Sequence, residues 1–297
     1  MFDIGILTSH AFLVVAAGTF LLAAATGAIG CITVLKGQSL IGDAIGHSSF
    51  PGIVLFFMIF MVRDPLILIF GAIFSGTIAF IVIQTINANS KLELDAVLAI
   101  VLSSFFGLGM VLKSYIQGNS KYAKASQSGL QNYIFGQAAY IMKEDVRIIF
   151  IVSLLVLALL IIFYKEIKVF LFDITYAKTI GLNTTLLYGV ILFMTMSLIS
   201  TGLKLVGAIL ISALLIVPAI TAMQWSTRFS GVLVIAALTG GISAIIGTYI
   251  STAYNGMSTG ATIILVMNFF ALISLVVGPH GMIANFKKRR QKNGSIE

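Results

Sequence analysis

The sequence predicts an all-α fold: a polytopic membrane helical bundle of about eight to nine transmembrane helices, with one short helix on its cytoplasmic face. Three observations predict it. Of the 297 residues, 59% are hydrophobic and 9% are charged, whereas soluble domains carry about 25% charged residues. A soluble chain this apolar could not cover its own surface, but lipid would. The apolar residues also fall in runs of about 20, the length that crosses hydrocarbon as a helix. Finally, those runs are continuous. A membrane barrel would alternate over ten-residue segments, and unpaired backbone groups are not tolerated in lipid.

Nine segments meet that length: 11–35, 39–62, 66–86, 94–116, 146–164, 184–202, 205–224, 230–254 and 260–278. Very short connections between several of them allow two to be one broken helix. The first contains Cys31, the single cysteine, which excludes an intramolecular disulfide and disfavours a thiolate metal cluster. The second carries Asp43 and His47. The fourth opens on Glu93 and Asp95, acidic residues suited to capping a helix N-terminus. The third, fifth and sixth rest on apolar continuity alone. In the seventh, beside Ser212, Pro218 removes a helix hydrogen bond and predicts a kink that could serve gating. The eighth sets Ala236 four residues before Gly240 and Ala237 four before Gly241, small pairs that let helices approach closely. The ninth contains Asn268, suited to an interhelical hydrogen bond or a pathway.

The formal charge is +8, from 18 basic and 10 acidic residues. In a membrane chain this reads as cytoplasmic anchoring and not as nucleic-acid binding. Lys287, Lys288, Arg289, Arg290 and Lys292 lie in a basic tail at 286–297, which is expected to be cytoplasmic. Counting back places Lys165, Lys168, Lys178 and Arg228 on the same side, and the uncharged loop 255–259 on the other. Lys204 goes against this pattern. So do Lys121, Lys124 and Lys143 in the segment 117–145, whose Tyr133-Ile134-Phe135-Gly136 suits a re-entrant or interfacial helix. The side of the N-terminus is left open. His10 and His280 flank spans as interfacial residues. Asp3, with no basic cluster near it, argues against a cleavable signal. A single membrane domain over 1–297 is expected.

The chemistry is concentrated in Gly42-Asp43-Ala44-Ile45-Gly46-His47. Four residues apart on a helix, Asp43 and His47 share one face. A carboxylate oxygen and an imidazole nitrogen so placed can grip one divalent cation, and such ligands suit manganese, iron or zinc better than Cu(I). Two ligands make a weak site, whereas a two-fold dimer would supply four. An Asp at the centre of a span costs about 2.5–3.5 kcal/mol on insertion scales, which marks such residues as functional candidates. The same spacing also suits a mutual hydrogen bond, a cap or a proton relay. The residues alone leave these open, along with depth in the membrane.

Around this pair the sequence resembles the zinc/manganese/iron class of bacterial ABC-transporter permeases. Leu40 to Ile45, followed by His47 and Pro51-Gly52, resembles the signature of that class, and Gly30 to Lys36 resembles the stretch leading into it. Leu94-Asp95-Ala96-Val97, Tyr133-Ile134-Phe135-Gly136 and Gly207-Ala208-Ile209-Leu210 through Pro218-Ala219 resemble further family blocks. Phe172-Asp173 with Tyr176, Ala177 and Gly181 resembles the cytoplasmic element that couples to the ATPase. Gly46 stands where serine is common, and Ser258 where proline is common. Neither departure removes a proposed ligand.

The resemblance implies a transport subunit and not an enzyme. The subunit would work as a homodimer or with a related subunit, two cytoplasmic ATP-binding subunits and an extracellular metal-binding lipoprotein, in a bacterial cell membrane. It implies that Asp43 and His47 line a path for Mn²⁺, with Zn²⁺ or Fe²⁺ next, and that no cofactor is permanently bound. Independently, residues 168–182 combine charge with Phe170, Leu171, Phe172 and Tyr176, an amphipathic stretch that needs a partner surface or the membrane interface. No Gly-x-x-x-x-Gly-Lys-Ser/Thr phosphate loop is present, so ATP energy would come from another chain. The alternative is a gradient-driven carrier or channel that uses Asp43 and His47 as a proton relay.

Overall fold

The computed structural model describes residues 5, 9–62, 64–119, 121–122, 143–254 and 257–284. Among them, nine helical stretches are long and apolar enough to cross a membrane, and no strand is found. The helices are α1 (His10–Leu35), α2 (Ile41–Ser48), α3 (Phe50–Phe60), α4 (Pro65–Asn89), α5 (Leu94–Gln117), α6 (Lys143–Ile162), α7 (Tyr164–Phe172), α8 (Ile174–Thr179), α9 (Thr184–Met223), α10 (Phe229–Ala253) and α11 (Thr259–Val277). The sequence-predicted re-entrant motif at 133–136 and the tail at 286–297 lie outside the described residues.

The second predicted span is one path made of two helices, broken at Ser49. Pro51, in the first turn of α3, has no N–H to offer the carbonyl four residues earlier, so α2 cannot run on unbroken into α3. The sixth and seventh segments are joined in the 40-residue α9, whose one non-helical residue is Gly207, at φ 77° and ψ 170°. A straight helix of that length would be about 60 Å long, twice the hydrocarbon thickness. Instead the chain folds back, and the side chain of Ile211 lies over Gly202. Only glycine adopts this backbone at low cost. Pro218 lies inside the second of the two helical stretches so formed.

α1 forms the axis of the bundle. Leu22, Ala23, Ala25, Ile29, Cys31 and Ile32 are fully buried. A Cβ at Gly27 would stand 2.7 Å from the Ala236 carbonyl oxygen of α10, and one at Gly240 would stand 2.8 Å from that of Ala23. The Ala236/Gly240 pair thus packs as the sequence predicts, in a reciprocal contact. Pro218 of α9 fills the notch between them. On its other flank, α1 presents Gly30 directly to the Leu215 backbone of α9. Hydroxyls fasten the remaining helices: Ser75 donates to the Ser48 carbonyl at 2.6 Å, and Thr262 to that of Gly247 at 2.8 Å.

Contacts at the helix ends sort the connections into two groups. Phe12 of α1 meets Tyr249 near the end of α10, at 6.3 Å between ring centroids. At the opposite end, Tyr164 of α7 stacks on Phe229 at 5.5 Å, Trp225 donates to Ser274 at 2.9 Å, and the His280 amide donates to the Gln224 carbonyl at 3.1 Å. Residues 163–183, the 224–228 turn and the described C-terminal residues therefore share one end, and the start of α1 lies at the other. The side that the sequence leaves open is thus opposite the α7–α8 element.

Gly30→Val should destabilise the fold by about 3 kcal/mol or more, because the added carbons meet backbone that cannot move aside. Gly107→Ala, with nothing within 4 Å of the new carbon, should be neutral or stabilising by up to about 1 kcal/mol through helix propensity. Thermal unfolding of both purified variants in detergent checks the pair.

Candidate metal centre

Asp43 lies in the first turn of α2 and His47 in its last. Two glycines seat the back of this helix. A Cβ at Gly42 would come 2.6 Å from a Leu215 methyl of α9, whereas one at Gly46 would find Ala208 and Ile211 at an ordinary 3.8 Å. Gly46 therefore has room for the serine common in related permeases. With that face closed, Asp43 and His47 project from the opposite face. Their side chains are 40% and 19% exposed, respectively.

His47 Nε2 and Asp43 Oδ1 are 3.6 Å apart. That is longer than a hydrogen bond of about 2.7–3.2 Å. It is close to the edge of a tetrahedron around one ion, about 3.4 Å for bonds of about 2.1 Å. The separation is within reach of a mutual ion pair when His47 is protonated, and it also suits two ligands of one cation. Among the described residues, no cluster of three or more His, Cys, Asp or Glu could hold a metal.

Their depth follows from their neighbours. The His47 ring packs edge-on against Phe106 at 5.1 Å, and Phe106 stands midway along α5. Ser49 and Ile45 pack against Gly76, midway along α4. His47 is therefore at mid-depth in the bundle, and Asp43 is one helical turn, about 5–6 Å, towards the α7–α8 end.

That end carries the second predicted feature. The expected single amphipathic helix is two, bent at Asp173 (φ −150°, ψ 91°). Asp173 caps α8 by accepting from the Tyr176 amide at 2.8 Å. Gly181, at φ 80°, closes α8, with the Leu182 amide donating to the Ala177 carbonyl at 3.0 Å. Ile167, Phe170 and Ala177 are buried against the bundle, while Phe172, Ile174, Tyr176 and Ile180 remain exposed. The five sequence-predicted residues thus divide by task. Phe172 and Tyr176 form a surface, and Asp173, Ala177 and Gly181 shape it.

Other sequence candidates take structural places. Glu93 sits at the N-cap of α5 without a side-chain cap bond, and Asp95 lies in the first turn. Asn268 donates to its own helix at Ile264, 3.0 Å, and is exposed, with no interhelical bond among the described residues. Ser212 donates to the Ala208 carbonyl at 3.2 Å. His10 and His280 are exposed.

One site escaped the sequence reading. Lys36, at the C-cap of α1, holds Nζ 4.6 Å from the Phe170 ring centre and 4.3 Å from that of Tyr188. Burial pushes the Lys36 ammonium down to about 8, so it still carries charge at neutral pH. Thr33, Lys36, Gln38, Ile41, Ile45, Tyr188 and Thr195 line a small cavity beside it. The only sequence signal was a lone lysine between the end of an apolar run and a glycine.

The profile of the ABC 3 transport family matches residues 9–278. The manganese transport system membrane protein MntC of Bacillus subtilis (strain 168) is 40% identical over 265 residues, which are 89% of this chain and 60% of that protein. The chain thus spans less than two thirds of that relative's length. The zinc transport system membrane protein TroC of Treponema pallidum (strain Nichols) is 34% identical over 275 residues, 92% of this chain and 91% of that protein. Among solved structures, PsaBC from Streptococcus pneumoniae in complex with Fab superposes with a TM-score of 0.83 at 29% identity, covering 95% of this chain and 97% of that one. With its membrane helices and its match over nearly its full length, this multi-pass chain belongs to the ABC 3 transport family.

Proposed function

We propose that this chain is the membrane-spanning permease subunit of an ATP-driven importer for divalent transition-metal ions, with Mn²⁺ first and Zn²⁺ or Fe²⁺ next. The observation that carries the proposal is the Asp43–His47 pair, 3.6 Å apart and at mid-depth of a transport-family bundle. The relatives named for manganese and for zinc transport support the substrate class. The ligand types agree with it, since oxygen and imidazole without thiolate suit these ions. Cys31 is buried elsewhere, beside the Val232 carbonyl.

In this reading two copies, or two related subunits, face each other across a two-fold axis. Each contributes one carboxylate and one imidazole, enough for four-coordination. The whole chain, 1–297, acts as one membrane domain. The end carrying α7, α8 and the C-terminus is cytoplasmic, supported by Lys165, Lys168, Lys178 and Arg228 there. The exposed Phe172, Ile174 and Tyr176 receive an ATP-binding subunit, one per copy, and a metal-binding lipoprotein delivers the ion at the opposite face. ATP binding in the partner switches which face the pair opens to. The ion is cargo, and the chain itself carries no phosphate loop and performs no hydrolysis.

Asp43→Ala and His47→Ala should each abolish accumulation of radioactive Mn²⁺ in cells or proteoliposomes while the complex still assembles. Unchanged uptake in both would remove the ligand assignment. Uptake in vesicles lacking any ATPase subunit would replace the importer with a gradient-driven carrier. Phe172→Ala and Tyr176→Ala should weaken ATPase binding by about 2 kcal/mol each, roughly 30-fold, as truncated interface anchors do. Titrating the purified ATPase onto the permease measures this.

A further inference from the structure

We infer that Lys36 is a positioning residue: its ammonium, held between the rings of Phe170 and Tyr188, ties the α7–α8 element to the helix that carries Asp43 and His47. The inference rests on the proposed function for what is moved, but the linkage itself is read from contacts. Phe170 is buried on the inner side of α7, two residues before the exposed Phe172. Its ring faces Lys36 Nζ at 4.6 Å, and Tyr188 of α9 closes the other side at 4.3 Å. Lys36 makes no ion pair among the described residues. Its charge therefore rests on two aromatic faces in a half-buried setting, where cation–π attraction exceeds that at an exposed site.

Lys36 also opens a stiff connection. Gly37 is left-handed at φ 69°, its amide donates to the Val34 carbonyl at 3.0 Å, and the Gln38 amide donates to that of Thr33 at 2.9 Å. This double closure is a Schellman turn. The Ile41 amide then donates to the Gln38 carbonyl at 3.1 Å, starting α2. Gln38, Tyr188, Ile41 and Ile45 border one cavity. A displacement pressed onto Phe172 and Tyr176 thus passes along α7 to Phe170, through Lys36, and across the hydrogen-bonded turn at 37–40 to the start of α2. A flexible loop would absorb it.

The test compares Lys36→Met, which keeps the apolar stem and removes the charge, with Lys36→Arg, which keeps the cation. Metal uptake per ATP hydrolysed is measured in the reconstituted complex. Met should lower that ratio by about tenfold while ATP hydrolysis continues, and Arg should stay near wild type, the pattern expected when a desolvated cation–π contact is lost and regained. Phe170→Leu should repeat the Met result, and it carries the test if the Met variant fails to assemble. A wild-type ratio in both Met and Leu variants overturns the inference. Hydrogen exchange of residues 41–48 reads the linkage without any transport. It should quicken in Met and Leu but not in Arg, and unchanged exchange in Met and Leu overturns the inference as well. If the wild-type complex moves no metal, the proposed function fails, and the exchange data alone decide the linkage.

Discussion

Three glycines, Gly27, Gly30 and Gly240, let α1 lie at backbone contact with α9 and α10, and most other positions follow from that approach. Lipid gives apolar helices no hydrophobic reason to leave it, so they associate where small residues permit dense packing. Once α1 is fixed, its C-terminal turn delivers α2 against α9. Leu215 serves both contacts, meeting Gly30 from one side and Gly42 from the other. The polar face of α2 then has one direction left in which to point. The direction of Asp43 and His47 is thus set by packing on the reverse of their helix, before any ion is considered.

The spans were legible because a membrane imposes one strong rule, a continuous apolar run of fixed length. All nine predicted segments recur within a few residues of their expected ends. The Asp43–His47 pair was legible for a related reason, since charge is conspicuous in hydrocarbon. The α7–α8 element showed itself by aromatics placed among lysines. Its bend at Asp173 did not, because one backbone dihedral leaves no mark on composition.

What stayed hidden depends on contacts between distant parts of the chain. Depth is the clearest case. From sequence, Asp43 and His47 lie close to the start of a segment and could sit near a membrane surface. It is Phe106, on another helix, that shows His47 to be at mid-depth. Lys36 is similar, because its partners lie about 130 and 150 positions further along the chain, and its aromatic setting cannot be read from its neighbours in sequence. Gly207 shows the limit from another side: the boundary between the sixth and seventh segments was legible at 203–204, but the single dihedral pair that makes the turn, at Gly207, was not.

The glycines of this chain answer to two different restrictions. Gly30 is demanded by volume, since a Cβ there would strike the backbone of the neighbouring helix. Gly37 and Gly181 have nothing within 4 Å of where a side chain would begin, yet both are left-handed, at φ 69° and 80°. At these two turns the obstacle is chirality alone, because L-residues pay for that backbone and their mirror images do not. A semisynthetic chain with D-alanine at either turn would escape that backbone penalty and would lose some of the freedom that glycine leaves to the unfolded chain. The turns that precede α2 and follow α8 could therefore be stiffened by changing handedness.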